Sequence, residues 1–153
     1  MATILVIEDD LLLLALISSA LGQERHTIIE TKGPLEAMEI IKLRKQEIDL
    51  ILTDVAMTPI SGLVLASRLA KQGINIPVLF MSGYHSIVGP ITASLGNDAL
   101  IEKPFTANGL RKAVRAFLER SEQNPSASPA ERSIVRNDLR AKLPAPIRTL
   151  FRN

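Results

Sequence analysis

Five short apolar runs recur along the chain, each handing over to a polar or charged residue and each separated from the next by a segment of helical length. They occupy residues 3–7, 26–31, 49–53, 77–81 and 99–102. Continuous aliphatic and β-branched runs of this length suit strands buried on both faces, as in a parallel sheet between two helical layers, while the second, HTIIET, reads as a more exposed strand. Strand and helix alternating five times confine the chain to an α/β architecture, and right-handed crossovers remove most of the remaining topologies. The first predicted helix, residues 11–21, is closed by Gly22 and is apolar nearly all round, so substantial burial is expected. Gly33-Pro34 opens a second, to about Lys45, with Leu35, Met38, Ile40 and Ile41 as its stripe. A third spans about 61–71 and ends at Gly73. A last one spans about 107–120, with Leu110, Val114, Phe117 and Leu118 facing inward. Gly89-Pro90 interrupts the segment between the last two strands, where an irregular first half and a regular turn from Pro90 to Leu95 are expected.

Hydrophobic residues make up 46% of the chain but aromatic ones only 3%, so Leu, Ile, Val and Ala must fill the interior. The absence of cysteine excludes a disulfide framework, a thiol nucleophile and a cysteine-based zinc site. The longest apolar run, residues 11–17, is too short to span a bilayer and follows acidic residues rather than a basic leader, so a soluble cytoplasmic protein with no membrane contact is expected. Five strands within residues 1–120 fit a flavodoxin-like, doubly wound sheet of order 2-1-3-4-5, with helices on both faces and a switch point between strands one and three. There Glu8 and Asp9 would meet Asp54, which the run LILTD delivers to the start of a loop. Alone, Asp54 and Ser82 would be ordinary turn residues and Lys103 a solvated lysine. Together they suggest chemistry. Three carboxylates in one crevice raise each other's pKa unless a cation shares the site. Mg²⁺ (or Mn²⁺) is suited to that, because it takes one or two carboxylates and completes its shell with water and phosphate oxygens. Ser82 and Lys103, from the fourth and fifth strand ends, add a hydroxyl and a fixed ammonium. The set suits a phosphoryl group in transfer, where positioning and charge neutralisation supply most of the catalysis.

In ILVIEDD, LILTDVAMTPISG, VLFMSGY and LIEKPF, taken in that order and spacing, the sequence resembles the response-regulator receiver domain of two-component signalling over about residues 1–120. The resemblance implies that Asp54 accepts a phosphoryl group from a sensor histidine kinase or phosphotransfer protein. It implies that Asp9 directly, Glu8 through water, Asp54 and the main-chain carbonyl of Ala56 hold the metal. Lys103 would pair with Asp54 before the reaction and with the phosphoryl oxygens after it, and Ser82 would swing to hydrogen-bond the phosphoryl group. Lys103-Pro104 would be a cis peptide. Such a module is no enzyme in the usual sense, catalysing only its own phosphorylation and slow hydrolysis. Asp10 is expected as a helix N-terminal residue favoured by the dipole, with a minor share in the metal field. The sequence also departs from the family: Leu100 stands where receivers often carry an aromatic reporter, and Pro59 comes one residue later than usual. Ala56 and Tyr84 occupy the two positions that influence hydrolysis, which points to a long-lived phospho-Asp54. His26 and His85 have neither a general-base partner nor metal spacing and are expected to be structural or surface residues.

Residues 121–129, SEQNPSASP, have the composition of a flexible linker. Residues 130–153 form a basic tail in which 130–143 can make one helix, stopped by Pro144 and Pro146. Residues 1–120 carry 12 Lys and Arg against 13 Asp and Glu, whereas 121–153 carry 6 against 3. The tail is too short for a winged-helix or helix-turn-helix output domain, and a charge run is more often a solvated face, so docking on protein is favoured over nucleic acid. Three functions follow. The first is a stand-alone receiver that signals through contacts with an unknown output protein, a homodimer being allowed. The second is a phosphorylation-independent interaction module, and the third a regulator contacting DNA through the tail.

Overall fold

The computed structural model describes residues 1–84 and 99–123. They form β1 (Thr3–Ile7), α1 (Leu11–Gly22), β2 (Thr27–Thr31), α2 (Pro34–Arg44), β3 (Leu50–Asp54), α3 (Gly62–Lys71), β4 (Val78–Ser82), β5 (Leu100–Glu102) and α4 (Ala107–Gln123). All pairings are parallel and the sheet order is β2-β1-β3-β4-β5, as the sequence pattern predicts. The expected irregular helix around Gly89-Pro90, His85, and the tail beyond Gln123 lie outside the described residues.

Side chains alternate across the pleat, so each central strand supplies both layers. Ile4, Val6, Leu50, Leu52, Leu79 and Met81 pack with Leu14, Ile17 and Leu21 of α1 and Leu110, Val114 and Phe117 of α4. Leu5, Ile7, Ile51, Val78 and Phe80 pack instead with Ala37 and Ile41 of α2 and Leu63, Leu65 and Leu69 of α3. Among the described residues, two helices therefore cover each face. Because every β3 and β4 residue is buried, an error of one residue in register would exchange the two layers wholesale.

Several local expectations are corrected. Gly22 is not a left-handed cap: it is the last residue of α1, and the reversal comes at Arg25, whose φ is 65°. The α1 helix is buried on one side only; Leu14, Ile17, Ala20 and Leu21 face the core while Leu11, Leu12 and Leu16 stand in solvent. On α2, Leu35 is exposed: the inward face is Pro34, Ala37 and Ile41, spaced i, i+3 and i+7, with Met38 and Ile40 partly buried beside it. The last helix runs three residues past Arg120, through Ser121, whose hydroxyl donates to the Phe117 carbonyl at 2.9 Å. Gly73, at φ 70°, does end α3. Two side-chain links tie α1 to α4: Arg111 donates to Gln23 at 3.0 Å, and Arg115 pairs with Glu24.

His26 is structural, as expected. Its Nδ1 accepts the Ala2 N–H at 3.1 Å, which requires a neutral ring. Burial pulls its pKa below the ordinary 6.5, with the N-terminal charge and Arg115 acting the same way and Glu24 opposing. The unfolded chain therefore takes up the proton more readily than the folded one, so stability is intact above 6.5 and is lost as the pH falls through 6.5 toward the lower folded value. Taking the pH from about one unit above to about one unit below that point should lower the urea midpoint of the native chain. The drop should be smaller for His26→Asn, which keeps an acceptor without the titration; equal drops in the two proteins would refute the assignment.

Candidate functional site

The register of the sheet assembles the site. Ile7 lies opposite Thr53, Asp54 opposite Met81, and Ser82 opposite Glu102, so four strands end at nearly one level. The ladder continues just beyond them, with Glu8 N–H donating to the Thr31 carbonyl, Val55 N–H to Met81 and Lys103 N–H to Ser82. Glu8, Asp54, Ser82 and Lys103 thus leave from rigid backbone. Asp54 and Ser82 are the last residues of their strands rather than the first of their loops, one residue later than the sequence pattern indicates.

Lys103 Nζ lies 2.8 Å from Glu8 Oε2 and 2.9 Å from Asp54 Oδ2. The expected pairing with Asp54 is present, and a second one with Glu8 joins it. Glu8 is only 1% exposed, and its other oxygen accepts the Asp10 N–H at 3.1 Å. Burial raises the Glu8 pKa above the ordinary carboxylate value, and the charge of Asp54 adds to this; the Lys103 hydrogen bond and ammonium and the Asp10 N–H work against it. For Lys103, burial opposes the charge, but hydrogen bonds to Glu8 and Asp54 prevail and hold its pKa above 10.5. Lys103 is therefore a fixed cation.

Glu8, Asp9 and Asp54 each offer an oxygen within 4.8 Å of the others. Asp9 is exposed at the rim, whereas Glu8 and Asp54 are buried. An all-carboxylate, partly open donor set fits a hard divalent ion that keeps water ligands, Mg²⁺ or Mn²⁺. The Ala56 N–H donates to Asp54 Oδ1 at 3.1 Å and so orients the carboxylate. Ser82 is fully buried, its hydroxyl accepting the Tyr84 N–H at 3.2 Å, while the Tyr84 ring is exposed. Asp10 is the N-cap of α1, with Oδ1 accepting from Leu12 and Leu13 at 2.9 and 3.1 Å, which engages its side chain in the helix rather than in the acidic cluster. Leu100 is half-buried against the α2–α3 side of the core. Lys103-Pro104 is cis as expected, and Thr58-Pro59 is cis as well.

One residue of the site escaped the sequence reading. A Cβ on Gly62 would lie 2.2 Å from the Asp54 carbonyl oxygen and about as close as contact allows to the Thr53 side chain. The Gly62 N–H donates to the Val55 carbonyl at 3.0 Å, pinning the start of α3 against the end of β3. Its signal was present: Ser61 caps α3 through the Val64 N–H, and glycine is a costly choice for the helical position that follows.

Residues 4–115 match the response regulator receiver domain family, and the chain belongs to that family. It is 28% identical over 130 residues to the putative two-component response regulator ARR21 of Arabidopsis thaliana, covering 85% of this chain and 21% of that protein. It is 27% identical over 135 residues to the alkaline phosphatase synthesis transcriptional regulatory protein SphR of Synechococcus elongatus, covering 83% and 52%. The chain thus spans between about a fifth and about half of these relatives. A receiver domain structure from Clostridium thermocellum superposes with a TM-score of 0.70 at 25% identity over 80% of this chain and 98% of that one. The Francisella response regulator 1452 receiver domain gives 0.69 at 26% over 79% and 99%. Among the described residues no helix is long and apolar enough to cross a membrane.

Two substitutions test the geometry. Gly62→Ala should cost about 1–3 kcal/mol through overpacking and also weaken Mg²⁺ binding by displacing Asp54. Gly73→Ala, strained by its positive φ but remote from the site, should cost about 1–2 kcal/mol and leave Mg²⁺ binding unchanged. Lys103→Met removes a positive charge from beside the carboxylates, and at separations near 4 Å that charge is worth roughly 1–4 kcal/mol. Calorimetric titration should then show Mg²⁺ bound about ten-fold more tightly or better; weaker binding would mean that Lys103 supports the ion site rather than competing with it.

Proposed function

We propose that the chain is a phosphoacceptor module in which Asp54 takes a phosphoryl group from a phosphohistidine or a small acyl phosphate. The observation that carries this reading is the paired contact of one ammonium, Lys103, with two buried carboxylates beside an exposed third. Asp54 Oδ2 attacks phosphorus, a P–O bond forms, and the bond from phosphorus to the donor's nitrogen or oxygen breaks, its electron pair leaving with the donor. Lys103 then moves from two carboxylates to the phosphoryl oxygens, and the Ser82 hydroxyl turns to donate to them. The Ala56 N–H holds the unreacted oxygen, Oδ1. A divalent ion on Glu8, Asp9, Asp54 and the Ala56 carbonyl would neutralise charge on the transferring group.

The donor is a sensor histidine kinase or a phosphotransfer protein, and the output is a protein contact made by the receiver. The kinship with two-component regulators supports this donor class. Incubation with acetyl phosphate and Mg²⁺ should give a single acid-stable, base-labile adduct by intact mass spectrometry. The adduct should be absent from Asp54→Asn and absent without the metal. A chain that stays unmodified while binding its partner equally well would instead support the phosphorylation-independent module.

A further inference from the structure

The α1 helix has no charged residue from Leu11 to Gly22, and one side of it is the core face already described. Its other side is unusual. Leu12 is 86% exposed, Leu11 56% and Leu16 45%, and Ala15 and Ser19 lie on the same exposed side. Residues 11, 12, 15, 16 and 19 are linked by i+3 and i+4 steps, so they form one continuous stripe. A helix apolar all round is normally buried all round, and solvent on a leucine stripe marks a face that takes a partner. At its upper end the stripe meets the exposed carboxylate of Asp9, with Asp10 beside it; the cations on the neighbouring α4, Arg111 and Arg115, are turned to Gln23 and Glu24 at the opposite end.

The same chain carries a segment of complementary character. Residues 147–152, IRTLFR, place Ile147, Leu150 and Phe151 between Arg148 and Arg152. No acidic residue follows Asp138. Twenty-seven residues separate Gln123, the last one described, from Leu150; a chain of that length spans up to roughly 90 Å extended and about 30 Å as a relaxed coil, and a helix over 130–143 would still leave more than the roughly 18 Å length of α1 within reach. The tether reaches every part of the stripe.

We propose that residues 147–152 dock on the outward face of α1. Ile147, Leu150 and Phe151 cover Leu11, Leu12 and Leu16, and the flanking arginines face Asp9 and Asp10. This interaction is independent of any phosphoryl chemistry.

The chain has no cysteine, so engineered pairs report cleanly. In the full chain, Ala15→Cys with Thr149→Cys keeps every proposed apolar contact and should oxidise to a monomeric disulfide. Leu43→Cys with Thr149→Cys is the control, because Leu43 is 84% exposed on α2, across the sheet from α1. Ala15 and Leu43 are both exposed, so neither change disturbs the core. Docking should make the Ala15 pair close about ten-fold faster or more, since it raises the local concentration above that of the tether alone. Adding Phe151→Asp should erase the difference. Equal rates for the two pairs, or an Ala15 product consisting of disulfide-linked dimers, would overturn the proposal, the latter in favour of a second copy as the occupant.

Discussion

The contact on which the rest depends is that of Lys103 with Glu8 and Asp54. Glu8 is almost completely withdrawn from solvent, and a carboxylate so placed needs a compensating charge or must take up a proton. Lys103 provides that charge from the end of β5, three places away from β1 in the sheet. Partial burial alone would weaken the lysine's charge; the two carboxylates restore it. The trio is therefore mutually dependent. It leaves Asp9, at the rim, as the carboxylate best placed to meet an incoming ion.

Much of this was legible in the sequence because the fold is built from strongly periodic pieces. Runs such as LILTD and VLFMS are apolar throughout and end abruptly, and only a two-layered parallel sheet buries them. Sheet order followed from topology, and topology brought Glu8, Asp9, Asp54, Ser82 and Lys103 to one edge. Less legible was anything decided by a single contact. The Lys103–Glu8 bond depends on side-chain reach across the sheet. The role of Gly62 depends on a carbonyl 2.2 Å from a Cβ that does not exist. The expected burial of α1 failed because composition cannot tell a helix packed on one side from one packed on two.

The asymmetry of α1 has a structural origin. Asp10 fixes its first turn by accepting two N–H groups, which sets the rotation of the helix about its axis. With that rotation fixed, Leu14, Ile17 and Leu21 fill the groove beside α4 with Leu13 at its margin, and Leu11, Leu12 and Leu16 have nowhere inside to go. The acidic run after β1 thus performs two tasks with adjacent residues: Glu8 and Asp9 furnish the pocket, and Asp10 aims the helix.

Glu8 and Lys103 are 95 residues apart in sequence. While the chain is being synthesised, the acids of β1 and β3 emerge long before the ammonium that accompanies them. Until β5 joins the sheet edge, Glu8 has no cation beside it and stays solvated or protonated. The internal ion pairing of Glu8 and Asp54 therefore arrives only with β5, and until then the acidic pocket has no ammonium competing for its carboxylates.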